Sequence, residues 1–150
     1  MSAEAPRDRK MEIFDICAVN LIPCDNSSKI ASTVGKLLHK SPSSDPYVIF
    51  AIGGERVQTK EIKNTLNPKW EEHLTLKVPH NAKDMIVSVF DRDRFTSDDQ
   101  MGVYQFKIPQ ANQSGTVDAP LTTIRGQKHA TGNIKFTYNL VGVPDDGSMA

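Results

Sequence analysis

A run of carboxylates interrupts an apolar segment in the second half of the chain. Asp91, Asp93, Asp98 and Asp99 follow one another closely, and Gly102 comes shortly after them. Carboxylates this close repel one another, so a folded loop that keeps them needs something to neutralise their charge. Calcium does so by taking about six to eight oxygen ligands from carboxylates, carbonyls and water. The run therefore predicts a calcium-binding loop, and a solvated acidic loop is the simpler alternative.

Other chemistry of paired carboxylates fits this run less well. The spacing is not that of an EF-hand, because the glycine at the sixth position and the closing glutamate are missing. Magnesium prefers a few carboxylates together with a phosphate-bearing substrate. No polarised pair for two-carboxylate hydrolysis can be argued from these residues. The histidines are scattered without a nucleophile motif, so we expect neither an enzyme nor a small-molecule substrate; they are His39, His73, His80 and His129.

Length and charge bound the remaining possibilities. The chain has 150 residues, with 18 Lys and Arg against 18 Asp and Glu, which suits one domain and gives no global field for nucleic acid. No apolar run approaches the roughly 20 residues of a transmembrane helix, and the polar start lacks the apolar core of a secretory signal. Two cysteines form neither a disulfide framework nor a zinc pattern. We expect a cytoplasmic, single-domain protein.

The elements that must position the carboxylates have the periodicity of strands. Apolar side chains alternate with polar ones at Ile134, Phe136, Tyr138 and Leu140, and Gly53-Gly54 is a hairpin signal between the segments 47–52 and 55–62. The pattern predicts an all-β antiparallel sandwich, because alternating faces must be buried against a second sheet. Eight strands are expected, near residues 11–19, 46–53, 55–62, 70–78, 85–91, 101–108, 116–123 and 132–141.

One segment departs from this pattern. Ile30, Val34, Leu37 and Leu38 recur at helical spacing, which predicts a short amphipathic helix within an insertion at about residues 26–44. The predicted organisation is a domain over residues 11–141, with flexible tails over residues 1–10 and 142–150.

Four ordered motifs resemble a C2 domain, the calcium- and phospholipid-binding module of protein kinase C and the synaptotagmins. They are Ala18 to Asp25, Ser44-Asp45-Pro46-Tyr47-Val48, Thr65 to Trp70, and Val89-Phe90-Asp91-Arg92-Asp93 with Asp99 and Gly102. The likeness covers roughly residues 11–141. It implies an eight-stranded sandwich with calcium between loops at one end, and Trp70 in the core. The order of the strands resembles the phospholipase-type circular permutation, in which an additional strand lies at the C-terminus.

The resemblance also implies the ligands of about two calcium ions. The family's five loop aspartates match Asp25, Asp45, Asp91, Asp93 and Asp99. By similarity, the carbonyls of Cys24 and Arg92 and an oxygen of Thr96 would add ligands. Asp98 lies beside the pattern and is expected to be solvated. Asp25 and Asp45 are much further apart than in the family, because the insertion lies between them, so the register of Asp25 is open.

Membrane-contacting residues are implied in the same way. Phe95 with its neighbour Arg94 would meet the lipid from a loop tip, unless Phe95 folds back against its own loop. The insertion would contribute Ile30, Leu37 and Leu38, or would instead pack beside the sandwich or be disordered. Lys60 alone keeps a charge on the face by which some members bind phosphoinositides, which gives only about 1 kcal/mol of attraction.

These observations predict a calcium-dependent peripheral membrane module that binds anionic phospholipid. It would be cytoplasmic and would move to membranes when calcium is raised. The alternative is a calcium-independent protein–protein interaction module, with an unknown protein partner, in which the calcium site is vestigial.

Overall fold

The computed structural model describes residues 7–21, 44–122 and 132–142. These residues form nine strands, all in antiparallel pairs. The strands are β1 (Arg9–Val19), β2 (Pro46–Ile52), β3 (Glu55–Gln58), β4 (Lys69–Trp70), β5 (Leu74–Val78), β6 (Asp84–Asp91), β7 (Asp99–Lys107), β8 (Gln113–Pro120) and β9 (Asn133–Gly142). The predicted helix at 26–44 and most of the predicted tails lie outside the described residues. Within the described ranges, no helix is long and apolar enough to cross a membrane.

The strands form two sheets. One has the order β4-β1-β9-β8, with β5 also paired to β1, and the other has the order β3-β2-β6-β7. The single strand predicted over residues 70–78 is divided into β4 and β5, which pair with different parts of β1. The last strand, β9, lies between β1 and β8 and supplies the additional C-terminal strand of the predicted permutation. The predicted antiparallel sandwich is confirmed, with one predicted strand divided in two.

The core lies between the sheets and follows the predicted alternation. Ile134, Phe136 and Leu140 of β9 are fully buried, and Tyr138 is nearly so. The Phe136 ring packs edge-on against Phe50 of the opposite sheet, with 5.5 Å between ring centroids. Edge-to-face pairs of this kind stabilise a core beyond the apolar area that they bury. The predicted inward face of β9 therefore joins the two sheets.

Trp70 also connects the sheets, as its predicted core position requires. Its side chain is buried, and its indole Nε1–H donates a hydrogen bond to the carbonyl of Pro46 over 3.0 Å. A buried indole N–H needs such an acceptor, because leaving it without one costs about 1–3 kcal/mol. The bond fixes the first residue of β2, directly beside Asp45, to the neighbouring sheet.

A β-bulge interrupts β1 at a point where strict alternation fails. The pairing of β1 with β9 shifts register between Phe14 and Cys17, and Asp15 has a φ of 49°. Ile13 and Ile16 are both buried, so two successive residues, Phe14 and Asp15, lie outside the inward set. Aspartate tolerates the left-handed region better than most residues, which suits it to this place.

Several strand ends differ from the prediction. β1 begins at Arg9 and β9 ends at Gly142, so the paired strands extend into both predicted tails. β3 ends at Gln58 because Thr59 replaces the regular ladder: its amide donates to the Val48 carbonyl, and its hydroxyl accepts from the Val48 amide, each over 3.0 Å. β8 ends at Pro120, and Thr122 then forms an isolated bridge with Val103 of the other sheet. These strand ends are therefore set by the pairing strand and by side-chain hydrogen bonds, and the hydrophobic periodicity of the sequence predicts neither.

Candidate calcium-binding site

The register of three strands brings three of the predicted ligands to one end of the sandwich. Asp45 directly precedes β2, Asp91 ends β6, and Asp99 begins β7. Asp91 lies opposite Pro46 in one strand pair and opposite Asp99 in the other. The connection between β6 and β7, residues 92–98, is called the third loop here and carries Asp93. Ladder pairing, and no property of the loops alone, brings these carboxylates together.

Asp91 lies at the centre of this group. It is half-buried, and one carboxylate oxygen, Oδ1, accepts a hydrogen bond from the Asp45 amide over 2.8 Å. Burial raises the pKa of Asp91, and the nearby carboxylates of Asp45, Asp99 and Asp93 raise it further, against the lowering effect of the Asp45 amide. The charged form of Asp91 is therefore disfavoured by its surroundings. A bound cation would reverse both effects.

Asp93 has the opposite environment, because its own loop surrounds its carboxylate with donors. Oδ2 accepts the Thr96 hydroxyl over 2.7 Å, and Oδ1 accepts the amides of Phe95 and Thr96 over 2.8 and 3.2 Å. The hydroxyl bond is the largest cause of a lowered pKa at Asp93, and the two amides add to it. Thr96 and Asp93, both predicted calcium ligands, are therefore hydrogen-bonded to each other in this structure.

The carboxylates do not converge on one point in this conformation. Asp45 Oδ1 accepts the amide of Asn64 over 2.9 Å, and Asn64 adopts a left-handed φ of 58° there. Within the three described ranges, no group of three or more His, Cys, Asp or Glu side chains is placed to hold a metal ion. The donors have the hard, anionic chemistry that calcium prefers. Calcium coordination would thus require the carboxylates of Asp45, Asp91 and Asp93 to move closer together than they are in this conformation.

Asp98 corrects one expectation. The sequence predicts a solvated side chain, but the Asp98 side chain is only 22% exposed. Its Oδ2 accepts the Tyr47 hydroxyl over 2.5 Å, and its Oδ1 accepts the Asp93 amide over 2.8 Å. The Asp93 amide is the largest cause of a lowered pKa at Asp98, followed by the Tyr47 hydroxyl. Asp98 thus ties the third loop to β2, because the loop folds back across Tyr47.

Arg92 completes this attachment with its side chain, for which only a carbonyl role was predicted. The guanidinium lies over the Tyr47 ring, 4.8 Å from its centroid, and Nε is 3.6 Å from a carboxylate oxygen of Glu61. Burial and the bond to Asp98 raise the pKa of the Tyr47 hydroxyl to about 12, so it stays a donor at neutral pH. The Pro46-Tyr47 motif draws attention to this tyrosine in the sequence, but no local pattern identifies Asp98 as its partner.

Replacing Tyr47 by phenylalanine tests this attachment. The ring would keep its stacking on Phe90, at 5.6 Å between centroids, and lose only the hydroxyl bond to Asp98. We expect a loss of about 1 kcal/mol in the free energy of unfolding, measured by denaturant titration without calcium. Tyr104→Phe is the matched control, since no hydrogen bond joins its hydroxyl to the described residues. Equal stability of both variants and the wild type would contradict the role of the hydroxyl.

The other predicted site residues fall into three groups. Phe95 is 95% exposed at the tip of the third loop, with Arg94 and Thr96 exposed beside it, so Phe95 does not fold back onto its loop. Lys60 is exposed beyond the end of β3, away from this tip in sequence, and its amide donates to Glu72 over 2.7 Å. The remaining predicted residues lie outside the described ranges: Cys24, Asp25, Ile30, Leu37 and Leu38.

Fold and site together define a class: an antiparallel two-sheet sandwich with acidic loops at one end. The family model of the C2 domain matches residues 9–122. The chain therefore belongs to the C2 domain family. It is 43% identical over 75 residues to Protein C2-DOMAIN ABA-RELATED 2 of Arabidopsis thaliana. This alignment covers 50% of this chain and 43% of that protein. It is 50% identical over 60 residues to Protein C2-DOMAIN ABA-RELATED 11 of the same plant, covering 40% and 36%. These matches span less than half of either relative.

Solved structures share the fold at low sequence identity. Domain A of plant Extended Synaptotagmin 1, a C2 domain, matches with a TM-score of 0.65 and 16% identity, over 95% of this chain and all of that one. The calcium-bound pair of C2 domains, A and B, of Extended-Synaptotagmin 2 matches with a TM-score of 0.65 and 22% identity, over 91% of this chain and 46% of that one. Human GIVD cytosolic phospholipase A2 matches with a TM-score of 0.67 and 19% identity, over 95% and 17%. At these identities the likeness concerns the fold.

Proposed function

We propose that this chain is a calcium-dependent peripheral membrane module rather than an enzyme. Asp45, Asp91, Asp93 and Asp99, together with Asp25, would hold about two calcium ions. The observation that carries the proposal is the half-buried Asp91 carboxylate, whose pKa is raised by burial and by three neighbouring carboxylates. Such crowding of negative charge costs free energy in the calcium-free domain, and a divalent cation would recover it.

Charge accounts for the way in which calcium would control membrane binding. Five aspartates place about −5 in the site, and two calcium ions would bring about +4, which leaves the site close to neutral. Without calcium the acidic end would repel an anionic bilayer. With calcium, coordination positions not filled by protein oxygens would accept lipid phosphates. This switch would keep the protein cytoplasmic at low calcium and bring it to anionic membranes when calcium is raised.

Calcium binding would also rearrange the third loop. Asp93 Oδ1 accepts two amides and Oδ2 accepts one hydroxyl, so Oδ2 keeps an acceptor position for calcium. Because no three carboxylates of the described residues are placed to hold a metal ion, coordination must first move the turn that carries Asp93. Phe95 is carried on the same turn, and its orientation would therefore change with the ion. The bond from the Asp93 amide to Asp98 does not use the Asp93 carboxylate and can persist. The hydrogen bond between Tyr47 and Asp98 would then hold the end of the third loop in place while the tip of the loop moves.

Vesicle co-sedimentation tests the proposal. The wild type should pellet with phosphatidylserine vesicles in calcium and stay in the supernatant with a chelator. The double variant Asp91→Asn/Asp93→Asn should lose the calcium-dependent pelleting. Asp15→Asn/Glu55→Gln is the control, because it removes the same charge at the β1 bulge and at the start of β3, outside the acidic loops. Equal pelleting of the Asp91/Asp93 variant and the wild type in calcium would contradict the proposed site.

Phe95 should supply apolar contact with the bilayer. Its side chain is 95% exposed, and burying a phenylalanine yields about 1.5–3 kcal/mol, too little for anchoring without the calcium bridge. We expect Phe95→Ala to weaken calcium-dependent vesicle affinity by about tenfold or more while calcium affinity stays unchanged. Ile86→Ala, at a residue 39% exposed on β6, is the control. Full vesicle affinity of Phe95→Ala would exclude insertion.

A second candidate function is a calcium-independent protein–protein interaction module. It is favoured by the hydrogen bonds that already occupy the Asp45 and Asp93 carboxylates. Calorimetry with calcium alone separates the two candidates. Saturable binding that Asp91→Asn/Asp93→Asn abolishes supports the calcium module, and no binding by the wild type supports the protein-interaction module.

A further inference from the structure

The end of the sandwich opposite the acidic loops holds an open cavity of about 1070 Å³. It lies where the strands of both sheets terminate: the start of β1 and the end of β9 from one sheet, and the start of β6 and the end of β7 from the other. Its charged lining consists of Arg7, Asp8, Arg9, Lys83, Asp84 and Lys107. Four cations and two carboxylates therefore line the same open cavity. We call this the basic cavity.

One wall of the basic cavity is held by Arg9. One guanidinium nitrogen, Nη1, donates to the carbonyls of Pro109 and Gln110 over 2.9 and 3.0 Å. The amide of Ile108, a lining residue, donates to the Lys83 carbonyl over 2.8 Å. These bonds fasten the connection after β7 to the start of β1 and to the loop before β6. The cavity is thus built by contacts between sequence-distant segments rather than by a single flexible loop.

Asp8, another lining residue, joins the start of the described chain to the loop after β5, and its charge is compensated by its partners there. Its Oδ1 accepts the His80 amide over 2.9 Å and lies 3.3 Å from the His80 ring, and its Oδ2 is 3.8 Å from the Lys77 ammonium. The His80 amide is the largest cause of a lowered pKa at Asp8. Because Lys77 and His80 already compensate this carboxylate, it opposes the cavity's cations less than its position suggests.

Lys83 and Lys107 are the cations left to act on a ligand. Both are exposed, and neither makes an ion pair within the part of the chain that the structure describes, although Asp84 lies opposite Lys107 in the β6–β7 ladder. Surface lysines alone would signify little, but these two stand at the rim of a cavity whose volume slightly exceeds the range of small-molecule sites, about 300–1000 Å³. Lysine ammonium groups bind phosphate oxygens as point charges, and arginine adds directional donors.

We propose that the basic cavity is a calcium-independent site for a compact ligand with more than one phosphate group. A single phosphate would leave most of this volume empty, and an uncharged ligand would leave the two rim lysines without a partner. The ligand is a free polyphosphate compound or the phosphorylated headgroup of a lipid. The site faces away from the acidic end, so it can be occupied whether or not calcium is bound.

The test uses two probes in the presence of a chelator. Inorganic pyrophosphate is titrated into the full chain while backbone amide resonances are followed, and vesicles of phosphatidylcholine with phosphatidylinositol bisphosphate are tested by co-sedimentation. We expect Lys83→Gln/Lys107→Gln to weaken binding by about tenfold or more. Lys63→Gln/Lys69→Gln is the control, because it removes two exposed cations outside the cavity.

The outcomes separate the sources of phosphate. Pyrophosphate binding that shifts the amides of Lys83 and Lys107, and that the cavity variant loses, supports a free phosphate ligand. Vesicle binding that only the cavity variant loses supports a lipid headgroup. Equal weakening in both variants means attraction by net charge alone and overturns the proposal, as does the absence of saturable binding to either probe. Asp91→Asn/Asp93→Asn should bind both probes like the wild type, so failure here is distinguishable from failure of the calcium site.

Discussion

The Asp91→Asn variant should unfold at a higher temperature than the wild type in a chelator and at a lower temperature in excess calcium. In the calcium-free domain, burial and three nearby carboxylates disfavour the charge of Asp91. Asparagine removes that charge and keeps a side-chain oxygen to accept the Asp45 amide, now at 2.8 Å. In calcium, the wild type should gain about 2.7 kcal/mol at a hundredfold excess over the dissociation constant. That gain corresponds to roughly 10 °C in Tm, and the variant should lose most of it.

The pH dependence of the difference follows from the raised pKa. A group with a raised pKa in the folded state contributes stability below its unfolded pKa, and that contribution is lost as pH rises through the folded pKa. The chelator-state advantage of Asp91→Asn should therefore be full at neutral pH, fade as pH falls through the raised folded pKa, and be gone below about pH 4, where Asp91 is protonated in both states. Differential scanning calorimetry with and without calcium measures both effects.

Asp98→Asn is the matched control, because it removes a carboxylate from the loop that directly follows Asp91 and its effect on stability should have the opposite sign. The Asp93 amide and the Tyr47 hydroxyl lower the pKa of Asp98, so its charged form stabilises the folded domain at pH values above the unfolded pKa. Asp98→Asn should thus lower stability in a chelator, and its deficit should fade as pH falls through the folded pKa. A stabilising Asp98→Asn, or a destabilising Asp91→Asn in chelator, would contradict this assignment of electrostatic roles.

Gly132→Ala should destabilise the domain by about 3 kcal/mol or more. Gly132 has a φ of 92°, which side chains rarely adopt, and an added Cβ would lie 2.4 Å from the Val19 carbonyl oxygen. Neither backbone can yield easily, since Val19 pairs with Asn133 and the Gly132 carbonyl accepts the Leu121 amide over 2.9 Å. A loss of this size is a large part of the about 5–15 kcal/mol that typically stabilises a domain.

Gly54→Ala separates the local strain at Gly132 from the general effect of replacing a glycine. Its Cβ would meet no atom within 4 Å, and its φ is not in the left-handed region. We expect its free energy of unfolding to stay within about 0.5 kcal/mol of the wild type. Denaturant titrations of both variants measure the difference. A Gly132→Ala midpoint equal to that of Gly54→Ala would show that the β1–β9 approach is looser than the structure indicates.

Much of the fold follows from local sequence. The alternation at Ile134, Phe136 and Leu140 predicts a half-buried strand because successive side chains in a strand point to opposite faces. The bulge at Asp15 does not follow in this way, since it depends on how β1 and β9 pair. The division of residues 70–78 into β4 and β5 likewise depends on pairing with β1.

The candidate site divides along the same line. The motif resemblance selected Asp45, Asp91 and Asp99, which strand pairing places beside one another, because the order of strands and acidic loops is written in the sequence. Their role as calcium ligands stays a prediction. The resemblance could not show that the Asp93 carboxylate faces the donors of its own loop. Nor could it show that Asp98 accepts the hydroxyl of Tyr47, since these residues are 51 positions apart.

The sequence by itself determined the class of fold and the kinds of side chain at the acidic end, because hydrophobic period and motif order are local properties of the chain. Only the tertiary structure decided that the charge of Asp91 destabilises the calcium-free domain and that the charge of Asp98 stabilises it. It alone also showed the basic cavity, whose walls come from Arg9, Lys83 and Lys107. The physical reason is that pKa and concavity depend on burial, on nearby charges and on hydrogen bonds between segments far apart in sequence.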